Sequence, residues 1–335
     1  MKNSNSFASA QEDTLSARSI INLPRQEINT ELWDACIQES ENESPLAYSH
    51  VLDYLAPGWH GLIIGDYEAV MPLPTVKQLG FLNIQMPQEV ITLGIFSPNP
   101  QLTDLFPAIF NHSVFSPFRF ISYNGSPTTR KILSIPGCTQ KQTFELNLEK
   151  DYQTLHQKYS RTHKRNIKAF YDSGLSIEKS SSPKIFTSLI KEIGAFRPEL
   201  YMPPDYQKKF EAMTSYALET GTGEAYAVRK NNKLIGGAFF LIGKKRIIPY
   251  HLANQDGRVY KTSFALIDQF IKQHSGQKKI LDFAGSVFPN VATFNRRFGA
   301  KEVPYYAVTI NRLPPPIKWA KEKNLLFNLK RLFFK

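Results

Sequence analysis

Five cations gather on one face of a helix predicted over residues 150–172: at about 3.6 residues per turn, Lys158, Arg161, Lys164, Arg165 and Lys168 share a side. Tyr152, Leu155, Tyr159 and Phe170 take the opposite side, and Glu149 and Asp151 suit the positive end of the helix dipole. Arginine offers phosphate a two-pronged fork and lysine a point charge, so an anionic ligand would relieve the crowding; a solvated amphipathic face is the alternative. A second cluster is Leu281-Asp282-Phe283-Ala284-Gly285-Ser286, an apolar strand ending in Gly-Ser, where α/β sheets place ligand groups. Alternation sets Asp282 on the other face from Leu281 and Phe283, as a catalytic carboxylate or as an anchor for the loop before Val291. The third is Phe294-Asn295-Arg296-Arg297-Phe298-Gly299, a helix closed by a glycine suited to a left-handed cap.

These groups need elements to carry them. From Thr30 to Ala56 the pattern predicts two short helices, the first capped by Thr30 and the second starting at Ser44-Pro45. Strands are predicted at Trp59–Ile64 and Ala69–Leu73, joined tightly at Gly65-Asp66, and at Phe81–Gln85, Phe118–Tyr123 and Thr143–Leu148, with a helix over Leu102–Phe110. Past Glu149 the reading continues with a strand Leu175–Lys179, helices at Lys184–Ile193 and Tyr206–Glu219, and a hairpin, Glu224–Arg229 with Leu234–Ile242, turned at Asn231-Asn232. It ends with a strand Arg246–Leu252, a helix Tyr260–His274, a strand Lys279–Phe283, a helix Val291–Phe298 and a closing strand Tyr305–Asn311. Strands alternating with helices argue for a mixed α/β layer architecture. The hairpin at residues 62–70 echoes the one at 226–237, which suggests an internal repeat.

Lys and Arg number 41 against 29 Asp and Glu, a formal charge of +12, which excludes an acidic solvating segment and favours a negatively charged partner. Two cysteines, Cys36 and Cys138, exclude a disulfide scaffold or a Cys-rich zinc site and fit a reducing compartment. Without a long apolar run or a secretory core, a cytoplasmic location is expected. Residues 1–18 read as a disordered tail.

The strand, then a helix closing on Phe298-Gly299, then a strand resembles the C-terminal half of a GNAT acyltransferase domain. Together with Lys164-Arg165-Asn166-Ile167-Lys168-Ala169, Leu281-Asp282-Phe283-x-Gly285-Ser286 and the stretch Pro57-Gly58-Trp59 through Pro74, it resembles the Fem-type (FemABX-like) group over roughly residues 46–311. The resemblance implies two tandem GNAT-like domains, each a mixed α/β sheet flanked by helices, at 19–149 and 150–313; the residues beyond them, 314–335, read by their own pattern as a basic amphipathic helix. It implies transfer of an acyl or aminoacyl group from a polyanionic carrier, aminoacyl-tRNA or acyl-CoA, to an amine of a cell-envelope precursor or peptide, with no tightly bound cofactor and no metal. A non-catalytic polyanion-binding protein and an acyl-CoA-dependent N-acetyltransferase are the alternatives.

The chain departs from the family pattern. Arg258 and Tyr260 stand at the glycine positions of the usual pyrophosphate loop, Asn295 stands where many relatives carry an acid tyrosine, and Ala284 replaces an often acidic residue. Proton transfer is left to His251 at the end of a strand, to Asp282, to Tyr305 or to the substrate. Arg258 joins the five helix cations as a phosphate ligand, and Phe283, Gly285, Ser286, Asn295 and Arg296 are expected to line the substrate cleft. Beyond Pro314-Pro315-Pro316, Leu325, Leu326, Leu329, Leu332 and Phe333 make a stripe among lysines; docking on its own domain is preferred to peripheral contact with the inner membrane surface.

Overall fold

The computed structural model describes residues 18–78, 80–87, 90–106, 108–127, 137–194, 201–284 and 289–322. The N-terminal tail apart from Arg18, the C-terminal leucine stripe, Gly285 and Ser286 lie outside them. The chain begins with β1 (Ile20–Pro24) and α1 (Thr30–Glu39). Asn29, not Thr30, caps α1, its side chain accepting from the N–H of Glu31 and Leu32. Ser44-Pro45 opens a 3-10 turn, Pro45–Ala47, rather than the helix itself, and α2 follows at Ser49–Leu55.

β2 (His60–Ile64) and β3 (Ala69–Leu73) are buried almost throughout, so they read as continuous apolar runs. β4 (Thr75–Gln78), β5 (Phe81–Gln85), a single turn α3 (Pro100–Thr103), β6 (Phe120–Asn124) and β7 (Cys138–Asn147) complete the first part. The helix predicted over 102–110 is that turn plus a 3-10 segment, Ala108–Asn111. The helix predicted over 150–172 is two: α4 (Tyr152–Gln157) and α5 (Arg161–Asp172). Then come β8 (Glu178–Ser180), α6 (Ile185–Gly194), α7 (Pro204–Glu219), β9 (Gly223–Lys230), β10 (Lys233–Ile242) and β11 (Arg246–Ala253). The chain continues with α8 (Gln255–Val259), α9 (Thr262–His274), β12 (Ile280–Asp282), α10 (Pro289–Arg296), β13 (Lys301–Asn311) and α11 (Pro315–Glu322).

β1-β2-β3 form one antiparallel sheet, and the remaining strands form a second in the order β4-β5-β6-β13-β7-β12-β11-β10-β9-β8. Within it β5 with β6 and β11 with β12 are parallel, and the other pairings are antiparallel. The order contains a repeat. β3 and β4 flank Pro74 and act as one interrupted strand: β3 pairs with β2 and β4 with β5, as β10 pairs with both β9 and β11. Each half is therefore an antiparallel run ending in one parallel pair, and the hairpin echo of residues 62–70 and 226–237 is its first turn. The halves interlock, because β13 pairs with β6 while β7 pairs with β12. Glu149 lies two residues past the end of β7, in the link to α4.

Two apolar cores lie against the sheet. One packs Leu155, Tyr159, Ile167 and Phe170 with Phe270, Leu281, Phe283 and Phe298. The other unites Trp33, Leu52, Ile63 and Val70 of the first half with Phe186, Phe210, Phe239 and Ile248 of the second. Burial on this scale, about 25 cal/mol per Å² of apolar surface, drives the layering.

Candidate functional site

β11 and β12 pair at only two positions, Arg246 with Ile280 and Ile247 with Leu281, after which β11 runs on for six residues. Among the described residues no strand pairs with this edge; the register with β10 turns the backbone N–H groups of His251 and Ala253 toward a fork, and Pro249 between β12 and His251 has no N–H to offer. His251 is half-buried here, and its ring stacks on Phe294 of α10 at 5.3 Å. Burial pushes its imidazole down to about 4, so it is neutral near neutral pH, and among the described residues its buried Nδ1 has no hydrogen-bond partner.

Phe294 also touches the basic helix. His163 of α5 is buried, its ring 5.3 Å from Phe294, and its Nε2 is 3.0 Å from the Phe294 carbonyl oxygen, to which it donates. Burial, assisted by Arg297, lowers His163 to about 4. The break before α5 has a local cause. Ser160 accepts from the His163 N–H as an N-cap, and its own N–H donates to the Arg297 carbonyl, tying α5 to the end of α10. Gly299 adopts φ +83, and a Cβ there would press on Lys158.

The break divides the predicted cationic strip. Lys158 caps α4, while Arg161, Lys164, Arg165 and Lys168 remain on α5. Arg161 and Arg165 are exposed and make no ion pair among the described residues. Lys164 donates to the Gln157 carbonyl at 3.1 Å, and Lys168 pairs with Asp172 at 2.7 Å, so two of the five cations already have partners. Arg258 is exposed on α8, which replaces a glycine-rich loop by a helical turn capped by Asn254. Gly257 in that turn is required: a Cβ would overlap the Ile235 carbonyl oxygen.

Asp282 and Tyr305 do not meet His251. Asp282 turns to the opposite side of the sheet, where Oδ2 accepts from Arg246 Nη1 at 3.2 Å and Oδ1 accepts from Thr143 Oγ1 and the Ala284 N–H. The same Nη1 donates to Glu145 Oε1 at 2.5 Å. Two carboxylates thus share one buried guanidinium, and burial raises Glu145 above the usual carboxylate range despite that cation. Tyr305 is buried near Asp282, and burial together with that charge raises its phenol further from ionisation. Phe283 is buried in the core against α5 and α10, and Asn295 is buried at the end of α10. Arg296 pairs with Glu302 at 2.7 Å over the Phe144 ring.

On the Asp282 side lies a cavity of about 340 Å³ with Glu41, Asp104, Glu145 and Arg246 among its walls. The helix bearing the exposed arginines thus packs on the His251 face of the sheet, and the carboxylate-rich cavity, its one arginine already shared by two acids, lies on the opposite face at the closed end of the fork, where Arg246 pairs with Ile280. Arg246, Glu145 and His163 were not singled out from the sequence. Only strand parity at Asp282 hinted at the first two, because their partners are far away along the chain. Among the described residues no cluster of three or more His, Cys, Asp or Glu is arranged to hold a metal ion, and no helix is long and apolar enough to cross a membrane.

No protein-family model and no curated protein sequence matches the chain. Solved structures do. FemX superposes with TM-score 0.61 at 12% identity, over 86% of this chain and 96% of its own. A conserved protein of unknown function from Bacteroides thetaiotaomicron gives 0.55 at 10% identity over 84% and 96%. The C-terminal domain (DUF2156) of a putative lysylphosphatidylglycerol synthetase from Agrobacterium fabrum gives 0.52 at 11% over 88% and 94%. The chain shares the α/β fold of FemX, built here from two halves of repeated strand topology.

Proposed function

We propose that the chain transfers an acyl or aminoacyl group from a polyanionic carrier, aminoacyl-tRNA or acyl-CoA, to the amine of a peptide or cell-envelope precursor. The observation that carries this reading is the fork between β11 and β12, with a cationic helix packed on one face of the sheet and a carboxylate-lined cavity on the other face at its closed end. A phosphate-bearing donor is drawn to Arg161 and Arg165 on the exposed face of α5, the helix whose buried His163 meets His251 across the Phe294 ring. An amine is drawn to the carboxylate-lined cavity. The backbone N–H of His251, on the edge of β11 turned away from β10, is suited to receive the oxyanion that develops when the amine nitrogen attacks the carbonyl carbon. The C–N bond forms, the carrier's C–O or C–S bond breaks, and the amine proton leaves with the carrier oxygen or sulfur.

That route needs no strong protein base, which agrees with an imidazole held near 4 at His251. Its role is to hold neutral polar surface beside the carbonyl; alignment supplies most of the rate. Asp282 and Tyr305 support β12 and β13 from behind the fork rather than touching substrate.

The test is the double charge reversal Arg161→Glu/Arg165→Glu in the full chain, titrated with tRNA and with CoA and assayed for transfer to a panel of amines. Donor binding is expected to fall at least about tenfold while the melting temperature stays within about 1 °C, since exposed charges contribute little to stability. Unchanged donor binding would overturn the assignment. The helical turn α8 in place of a glycine-rich loop favours a second reading, a polyanion-binding protein without turnover. Wild-type protein that binds donor yet modifies no amine would select it.

A further inference from the structure

Glu43 lies wholly buried in the first half, yet its partners are in the second. Oε1 accepts from the backbone N–H of Lys244 at 3.0 Å, and Oε2 accepts from Lys245 at 2.9 Å and Arg246 at 3.0 Å. Three successive N–H groups converging on one anion form a backbone nest, and the carboxylate fills it. Gly243 permits the approach, because a Cβ there would overlap Glu43 Oε1. The flanking lysines grip the same segment: Lys244 Nζ pairs with Glu39, and Lys245 Nζ donates to the carbonyls of Glu39 and Ser40.

This turn is also where β11 meets β12. Ile280 N–H donates to the Lys245 carbonyl at 2.9 Å, and Lys279 Nζ donates to that of Gly243 at 2.7 Å. Arg246, the third donor of the nest, is the first residue paired with β12, and its side chain reaches Glu145 on β7 and Asp282 on β12. One buried carboxylate therefore sets where β11 starts, and with it the closed end of the fork.

We propose that Glu43 is a positioning residue for the transfer fork, an internal carboxylate ligand of the nest at residues 244–246 through which the first half fixes the geometry of a site in the second. The functional half of this inference rests on the fork being the transfer site. A buried donor set robbed of its acceptor is costly, and replacement by an apolar side chain leaves room for a small anion.

Two variants test it by amide hydrogen exchange, melting and transfer kinetics. Glu43→Gln keeps the shape but turns an amide NH₂ toward donors. Its amides at residues 244–247 are expected to exchange about tenfold faster, those of β9 and the β9-facing part of β10 being unchanged, with kcat reduced and donor KM unchanged. Glu43→Ala is expected to lose the same protection and to regain most of it in excess acetate or formate, but not in equal chloride. Faster exchange throughout the molecule, failure of Glu43→Gln to fold, or no specific rescue by carboxylate would each reduce Glu43 to a general structural role. Local exchange and rescue as expected in a protein that transfers no acyl group would keep the nest and refute the transfer reading alone.

Discussion

Removing the guanidinium of Arg246 leaves Glu145 and Asp282 facing each other in a buried site with no cation between them. Loss of one partner from a buried ion pair costs about 3–5 kcal/mol, because the remaining charge keeps its desolvation penalty. At about 2.1 cal/mol/K of unfolding entropy per residue, a chain of 335 residues loses about 4–7 °C of melting temperature for that cost. The expected outcome for Arg246→Leu is a fall in that range near neutral pH, read by calorimetry. The backbone N–H of residue 246 still reaches Glu43, so the nest is not the part perturbed. The pH dependence gives a second check. Burial already raises Glu145, and a carboxylate whose folded pKa is raised stabilises the fold below its unfolded pKa and loses that contribution as pH rises through the folded value. Without Arg246 the folded value rises further, so the deficit of the variant must shrink on acidification toward the ordinary carboxylate range. Replacing all three groups at once, Arg246→Leu with Glu145→Gln and Asp282→Asn, is expected to recover much of the loss. A fall of less than about 1.5 °C, or a deficit that grows on acidification, would refute the account of a guanidinium shared by two buried acids.

The histidines on either side of Phe294 make a further pH prediction. With His163 and His251 held to about 4 when folded, stability must fall as pH drops from about 6.5 toward 4, by about 3 kcal/mol for each, because only the unfolded imidazoles take up protons in that window. Imidazole resonances titrating near 6 would refute it. Gly257→Ala forces a methyl into the Ile235 carbonyl and is expected to cost about 1–3 kcal/mol in urea unfolding, and a neutral result would show that α8 can shift. Lys168→Ala removes an exposed pair with Asp172 and is expected to leave the melting temperature within about 1 °C.

Local signals in the sequence were legible where one residue decides. Asn231 and Asn232 turn their hairpin at φ +50 and +63, and Gly299 closes its helix at +83. Signals of pattern were misread where a cap competes with a period. The cationic spacing through residues 158–168 fits one helix, but Ser160 is a better N-cap than interior residue, and the Arg297 carbonyl waiting for its N–H lies far along the chain. β1 was missed because it is mostly half-exposed, and β4 because its residues alternate poorly. The tie of Arg246 to Glu145 and Asp282 joins three strands separated by 101 and 36 positions, and no local rule reaches that far. Asp282 was legible as a residue that turns from its neighbours, but not what it turns toward.

The repeat explains why one half, and not both, carries the fork. In the first half β5 pairs in parallel with β6 at Asn83, Ile84 and Gln85, and β5 ends at Gln85, so its pairing ends where the strand does. Tyr123 of β6 packs against Phe106 and Phe110, the latter backed by Phe115, and its hydroxyl donates to the Pro72 carbonyl. In the second half β11 outruns its partner by six residues, and the ring beside the exposed edge belongs to Phe294, held by a histidine rather than by a packed aromatic group alone. Pro74 divides the first half's long strand, whereas β10 runs unbroken for ten residues and gives β11 a continuous support on its other edge. A strand edge can stay open only if the other edge is fully paired, since backbone groups without partners on both sides would not hold their register. The two halves share a topology, and β5 is supported by β4 as β11 is by β10, so it is the length of β11 beyond its pairing with β12 that leaves the gap in the second half.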